Sequence, residues 1–192
     1  MGMLMKAGVC PGAINPICGV GAWKCFGISA MLYGSEVWWN LTTTEEELLN
    51  RVNVFAAKRL QGLCPTTHSI GALRSIGALR SIGLWSIIGY IDKTKLLFLG
   101  CLCRTSPGYL QKCIFIKRLF SYLAETSIGS ALGFVPDIIR ILRKYNLYWY
   151  LDEYLANCVF PSKSEWRKIV VDSLNTYRKM KDGKMKCLKN LF

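Results

Sequence analysis

Five aspartates, at 92, 137, 152, 172 and 182, are the groups on which two-metal chemistry would have to rest. Such chemistry needs carboxylates converging on ions about 4 Å apart. These five are widely separated along the chain, each near a basic neighbour on an expected helix, so they read as surface ion pairs. The only histidine, His68, has no nucleophile that the sequence assigns to it, and no G-x-x-x-x-G-K-[ST] phosphate loop occurs. Nine cysteines include no C-x-x-C, and the closest pair is Cys101 and Cys103. A mixed Cys/His zinc site would have to gather scattered ligands, so free buried thiols in a reducing compartment are expected, with no metal and no cofactor. No constellation supports catalysis. The residues support binding instead: Arg140, Arg143 and Lys144 fall on one side of an expected helix as a basic patch able to neutralise phosphates. Tyr148, Trp149 and Tyr150 follow at once and are able to stack on bases, although at helical spacing such rings more often build core.

The charge points the same way. Net charge is +13, yet the first fifty residues hold two basic groups, Lys6 and Lys24, against four acidic ones, Glu36, Glu45, Glu46 and Glu47. Of the 25 basic and 12 acidic residues, 23 and 8 therefore lie beyond position 50, a local net charge of +15. That balance favours polyanionic partners, nucleic acid or an anionic membrane, over a merely solvated basic surface. With 192 residues, 52% of them hydrophobic, the chain can bury a substantial core. The apolar stretch from 7 to 35 is broken by Pro11, Pro16 and several glycines, which fits neither a spanning helix nor a signal segment. Gly2 lacks the Ser or Thr that a myristoylation site prefers. Asn40-Leu41-Thr42 matches a glycosylation sequon, but nothing else argues for secretion, so an intracellular location, cytoplasm or nucleus, is expected.

The elements that would carry these groups are helices. Residues 1–25 read as a loop-like lead-in, poorly ordered, and 26–39 as a nearly all-apolar helix. Thr42 to Thr44 supply an N-cap hydroxyl, and Glu45 to Glu47 place carboxylates in the first turn, where the helix dipole favours them. Leu48, Leu49, Val52, Phe55, Ala56 and Leu60 then keep helical spacing until Gly62 and Pro65. Residues 69–85 read SIGALR-SIGALR-SIGLW. A period of six advances a helix by about 240° net per repeat, so no single apolar stripe survives, and each glycine costs about 1 kcal/mol against alanine. A helix over 86–104 carries Leu96, Leu97, Phe98, Leu99 and Leu102, and one over 109–124 presents Leu110, Cys113, Ile116, Phe120 and Leu123. Pro136 suits the first position of a helix with Ile138, Ile141, Leu142 and Tyr145 inward. A short aromatic helix over 147–157 precedes the last, which starts at Pro161, Ser162 and Ser164 and buries Trp166, Ile169, Val170, Leu174, Tyr177 and Met180. The fold class expected is all-α, an irregular bundle of six or seven helices.

Several of these stretches also carry a resemblance. MLYGSEVWW at 31–39, LQGLCPT at 60–66, IDKTKLLFLG at 91–100, KYNLYWYLDEYL at 144–155, PSKSEWRKIV at 161–170 and KCLKNL at 186–191 stand in the order of the region after the polymerase core in non-LTR (LINE-like) retrotransposon reverse transcriptases. That family polymerises through adjacent aspartates in a palm hairpin, and this sequence contains no Asp-Asp pair. The resemblance therefore implies a thumb and following helical connection, catalytically incomplete, with 26–126 as the thumb-like domain and 127–192 as the connection, truncated before any Cys/His module. It implies one SIGALR unit, so the repeat reads as a duplication. It also implies that Lys58 and Arg59, and Lys93 and Lys95, hold a primer-template by its backbone, and that Gly34 permits close helix packing while Trp38 fills core and Glu36 meets a cation.

The chain is expected to bind RNA or DNA weakly and without sequence preference, and to be no enzyme by itself. Self-association through apolar surface freed from a missing palm is expected, and no membrane. A helical remnant with a structural or protein-binding role, and a basic peripheral membrane protein using 164–181, are the alternatives.

Overall fold

The computed structural model describes residues 16–38, 41–60, 63, 84–124 and 133–189. Among these the chain is all-α, with seven helices and no strand. We number them α1, running through Pro16–Ala22, a π-helical stretch Trp23–Ile28 and Ser29–Met31; α2, Thr43–Leu60; α3, Ile87–Arg104; α4, Leu110–Ala124; α5, Phe134–Lys144; α6, Tyr148–Asn157; and α7, Lys163–Lys189. A 3-10 turn follows α1 at Ser35–Val37. The SIGALR repeat, His68 and the lead-in before Pro16 lie outside the described residues. The chain divides into two compact units, Met1–Ser35 with Leu41–Ile91 and Glu36–Asn40 with Asp92–Phe192.

In the first unit, residues 16–25 are helical rather than loop, because Val20, Trp23, Ile28 and Leu32 give α1 a buried side that offsets its glycines. The helix ends before Gly34, whose φ is +73° and above which a Cβ would meet nothing. Gly34 therefore serves a left-handed turn, not close packing. Asn53 of α2 joins the unit's parts: its Oδ1 accepts the Trp23 indole N–H at 3.2 Å, and its Nδ2 donates to the Trp85 carbonyl at 3.2 Å. This pairing turns α2 away from the expected stripe. Asn53, Ala56, Ala57, Lys58 and Leu60 are buried, while Leu48, Val52 and Phe55 are exposed.

The second unit is organised around α3. Leu96, Leu99 and Leu102 are buried, along with Ile138, Ile141 and Leu142 of α5 and Leu151 of α6. Trp166 of α7 is fully buried and donates its indole N–H to the Leu96 carbonyl at 2.7 Å. A Cβ on Gly100 would fall 2.7 Å from Trp166 Nε1 and nearer still to Cδ1, so only glycine leaves room for the ring. Pro136 sits in the third position of α5, not the first; its missing N–H is one the first turn leaves unbonded in any case. Asn146, at φ +57°, ends α5 in a Schellman arrangement. Its N–H donates to the Arg143 carbonyl, and that of buried Leu147 to the Leu142 carbonyl at 2.8 Å. On α7, Trp166, Val170 and Leu174 are buried as the spacing predicts, and Met180 is exposed.

The helix α4 is turned over relative to the predicted stripe. Its buried residues are Lys112, Phe115 and Leu119, and its exposed ones include Leu110, Cys113, Phe120 and Leu123. Long-range partners decide this. Lys112 Nζ donates to the Cys103 carbonyl at 2.5 Å and lies 4.9 Å from the Tyr154 ring centre, and Phe115 meets Phe134 edge-on. Cys103, buried in the same region, has its thiol pushed up to about 12 by burial, whereas Cys18, Cys25, Cys101, Cys113 and Cys158 are exposed, against the expectation of buried thiols.

Two helices begin with reciprocal caps. Thr42 Oγ1 accepts the Glu45 N–H at 3.3 Å and Glu45 Oε2 accepts the Thr42 N–H at 2.8 Å; Ser162 and Glu165 repeat the arrangement at 3.3 and 3.0 Å. Hydrogen bonds from the Thr42 backbone and then its hydroxyl hold the Glu45 carboxyl below its ordinary value of 4.5, and those from Ser162 do the same for Glu165. A carboxyl lowered in the folded state adds stability that is complete above its ordinary value and is lost as pH falls through the lowered one. Thr42→Ala and Ser162→Ala are each expected to cost about 1 kcal/mol near neutral pH. In urea unfolding followed by circular dichroism, that cost should shrink as pH falls below 4.5. Gly100→Ala gains about 1 kcal/mol of helix propensity but overpacks the site by about 1 to 3 kcal/mol. The net expectation is a lower urea midpoint at unchanged slope.

Candidate nucleic-acid interface

The α3 and α5 helices exchange charges, and this exchange sorts the basic residues into those that face solvent and those that do not. Lys95 Nζ lies 2.5 Å from Asp137 Oδ2, both side chains 6% exposed, and Arg140 reaches Asp137 Oδ1 at 2.5 Å from the solvent side. Asp92 Oδ2 accepts from Lys144 Nζ at 2.6 Å and from the Tyr145 hydroxyl at 2.7 Å. Burial first, and the Asp92 charge second, raise the Tyr145 phenol, which therefore donates and stays neutral. The pairs 95 with 137 and 92 with 144 link the two helices in opposite chain order, each giving one carboxylate and one ammonium to the other.

This corrects the expectation of surface ion pairs for two of the five aspartates. Asp92 and Asp137 are buried, because helical spacing carries them onto the face that also holds Leu96, Leu99, Ile138 and Ile141, where only a partnered charge is tolerated. Asp152 and Asp172 are exposed. Among the residues described, no group of His, Cys, Asp and Glu side chains forms a metal site.

The candidate phosphate ligands separate accordingly. Lys95 is committed to Asp137. Lys58 is buried and holds a partner, and Lys93 is half-buried and also engaged. Arg59 is half-buried with its guanidinium 5.4 Å from the Phe55 ring centre. Lys144 is tied to Asp92 and lies over the Tyr145 and Tyr177 rings. Arg140 is exposed while bonded to Asp137, and Arg143 is exposed with its guanidinium 5.2 Å from the Tyr148 ring centre.

The Schellman turn at Asn146 brings the end of α5 against the start of α6, where Arg143 meets Tyr148. Trp149 is 55% exposed, with one side against Tyr150 at 4.1 Å between ring centres. Tyr150 turns inward, edge-on to Trp166 at 5.4 Å. Of the three rings, then, one offers itself to solvent, one supports a guanidinium and one joins the core. Arg167, Lys168 and Lys179 of α7 are exposed in the same unit. The hydrogen-bonded asparagine in the turn is the signal that sequence reading passed over: Asn tolerates the left-handed conformation that reverses the chain here. The chain matches no family model, no curated protein and no solved structure.

Breaking one side of the buried exchange should be costly. Asp137→Asn leaves the Lys95 ammonium with no carboxylate in a dry site and is expected to cost about 3 to 5 kcal/mol in urea unfolding, whereas the double variant Lys95→Met with Asp137→Leu should recover most of it.

Proposed function

We propose that this chain binds single-stranded or duplex nucleic acid weakly, through its backbone phosphates, and performs no chemistry on it. The observation behind it is Arg143, an exposed guanidinium steadied over Tyr148, the residue next in sequence to the exposed Trp149. A cation for phosphate beside a ring for a base is the pairing by which sequence-tolerant binders work. The uneven net charge adds long-range attraction, with +15 of the formal charge lying after residue 50. The resemblance of 31–39, 60–66 and 91–100 to a reverse-transcriptase thumb and connection supports the same partner, and the missing Asp-Asp pair supports a binding role without polymerisation.

Of the cations singled out from the sequence, Arg140 and Arg143 are the phosphate contacts of this proposal, while Lys95 and Lys144 are held by Asp137 and Asp92. Fluorescence anisotropy with labelled single-stranded RNA should show affinity falling with salt, at a log-log slope of about 0.7 per phosphate neutralised. Arg143→Ala should lower that slope by about one phosphate contact, and Trp149→Ala should cost about 1 to 3 kcal/mol with the slope unchanged. A flat salt response, or no binding at low salt, sinks the proposal.

A further inference from the structure

The helix α4 presents the wrong chemistry to water. It draws a lysine inward, Lys112 at 8% exposed, and leaves Leu110, Ile114 and Phe120 outward at 71%, 47% and 57%. Tyr109, just before its first turn, is exposed as well. A helix solvated on its outer side would reverse this arrangement, burying the apolar residues and exposing the cation. At 100° per residue, Leu110, Ile114, Lys117 and Ser121 lie in one row along the outer face, with Phe120 on one flank and Arg118 on the other. Lys117 and Arg118 are exposed, and the helix contains no carboxylate.

We propose that this face docks on an anionic lipid surface. Apolar side chains at its crest enter the boundary between headgroups and acyl chains, while the long Lys117 and Arg118 stems follow them inward and return their charges to the headgroups. Charge excludes the nearest alternatives. A second copy meeting the same face would set Lys117 and Arg118 against their own counterparts, with no acid on the helix to separate them. Nucleic acid offers phosphate for the cations and a base face for a ring such as Phe120, but no apolar depth for the aliphatic Leu110 and Ile114. The face is the convex outside of a single helix, which suits a fluid interface that needs no matching groove. No described helix is long and apolar enough to cross a membrane, so the contact is peripheral.

Flotation of the full chain with vesicles tests this, using phosphatidylcholine alone and phosphatidylcholine with phosphatidylserine in equal parts. Binding is expected only to the mixed vesicles, and part of it should survive about 1 M salt, where the Debye length contracts to about 3 Å. The triple change L110S, I114S and F120S should weaken partition at least about tenfold, because withdrawing even one such apolar side chain from water contributes about that much. Leu110→Ser alone, at the most exposed position and the helix's first residue, should give a graded loss with an unchanged circular dichroism spectrum. Undiminished partition of both variants overturns the proposal in favour of charge alone. A dimer of the parent chain in light scattering that L110S abolishes overturns it in favour of a second copy.

Discussion

The exchange of charges between α3 and α5 is the constraint on which the second unit depends. An apolar interface alone tolerates a helix sliding by a turn, about 5.4 Å, since leucine and isoleucine fill one another's places. Asp92 with Lys144 and Lys95 with Asp137 do not: such a slide separates both buried carboxylates from their ammonium partners. Opposite polarity in the two pairs also fixes direction. With α3 and α5 linked by these pairs, Leu96 presents its carbonyl to Trp166, Gly100 leaves the space for that ring, and α7 has one place to lie.

The same exchange determines which cations remain for a polyanion. From sequence, Lys95, Arg140, Arg143 and Lys144 are equivalent members of a basic protein. In the fold they form a gradient, from a lysine fully enclosed with its carboxylate, through one half-sheltered against Asp92, to arginines in water. Interior electrostatics thus selects the candidate binding residues, and the selection concentrates them where α5 ends and α6 begins.

What was legible in the sequence was what depends on nearby residues. The starts of α2 and α7 were readable because threonine or serine three positions before glutamate closes a cap within one turn, whatever the rest of the chain does. The inward set of α5 was readable because its apolar and basic residues alternate with one clear period. The faces of α2 and α4 were not. Asn53 goes inward for a tryptophan N–H and a carbonyl far along the chain, and Lys112 goes inward for the Cys103 carbonyl and the Tyr154 ring. A hydropathy pattern assigns both residues to water. The burial of Asp92 and Asp137 was hidden for a related reason: each is acceptable only with a partner on another helix, and spacing within one helix carries no record of it.

Asn53 has a corollary for the sequences this architecture can accept. Its amide gives a proton on one side and takes one on the other, so the two demands on that position are opposite in kind. Aspartate at neutral pH answers only the indole, leucine answers neither, and glutamine carries one methylene too many for a fully enclosed position. Position 53 is therefore confined by hydrogen-bond stoichiometry as well as by size, and another residue is accommodated there only if Trp23 changes with it.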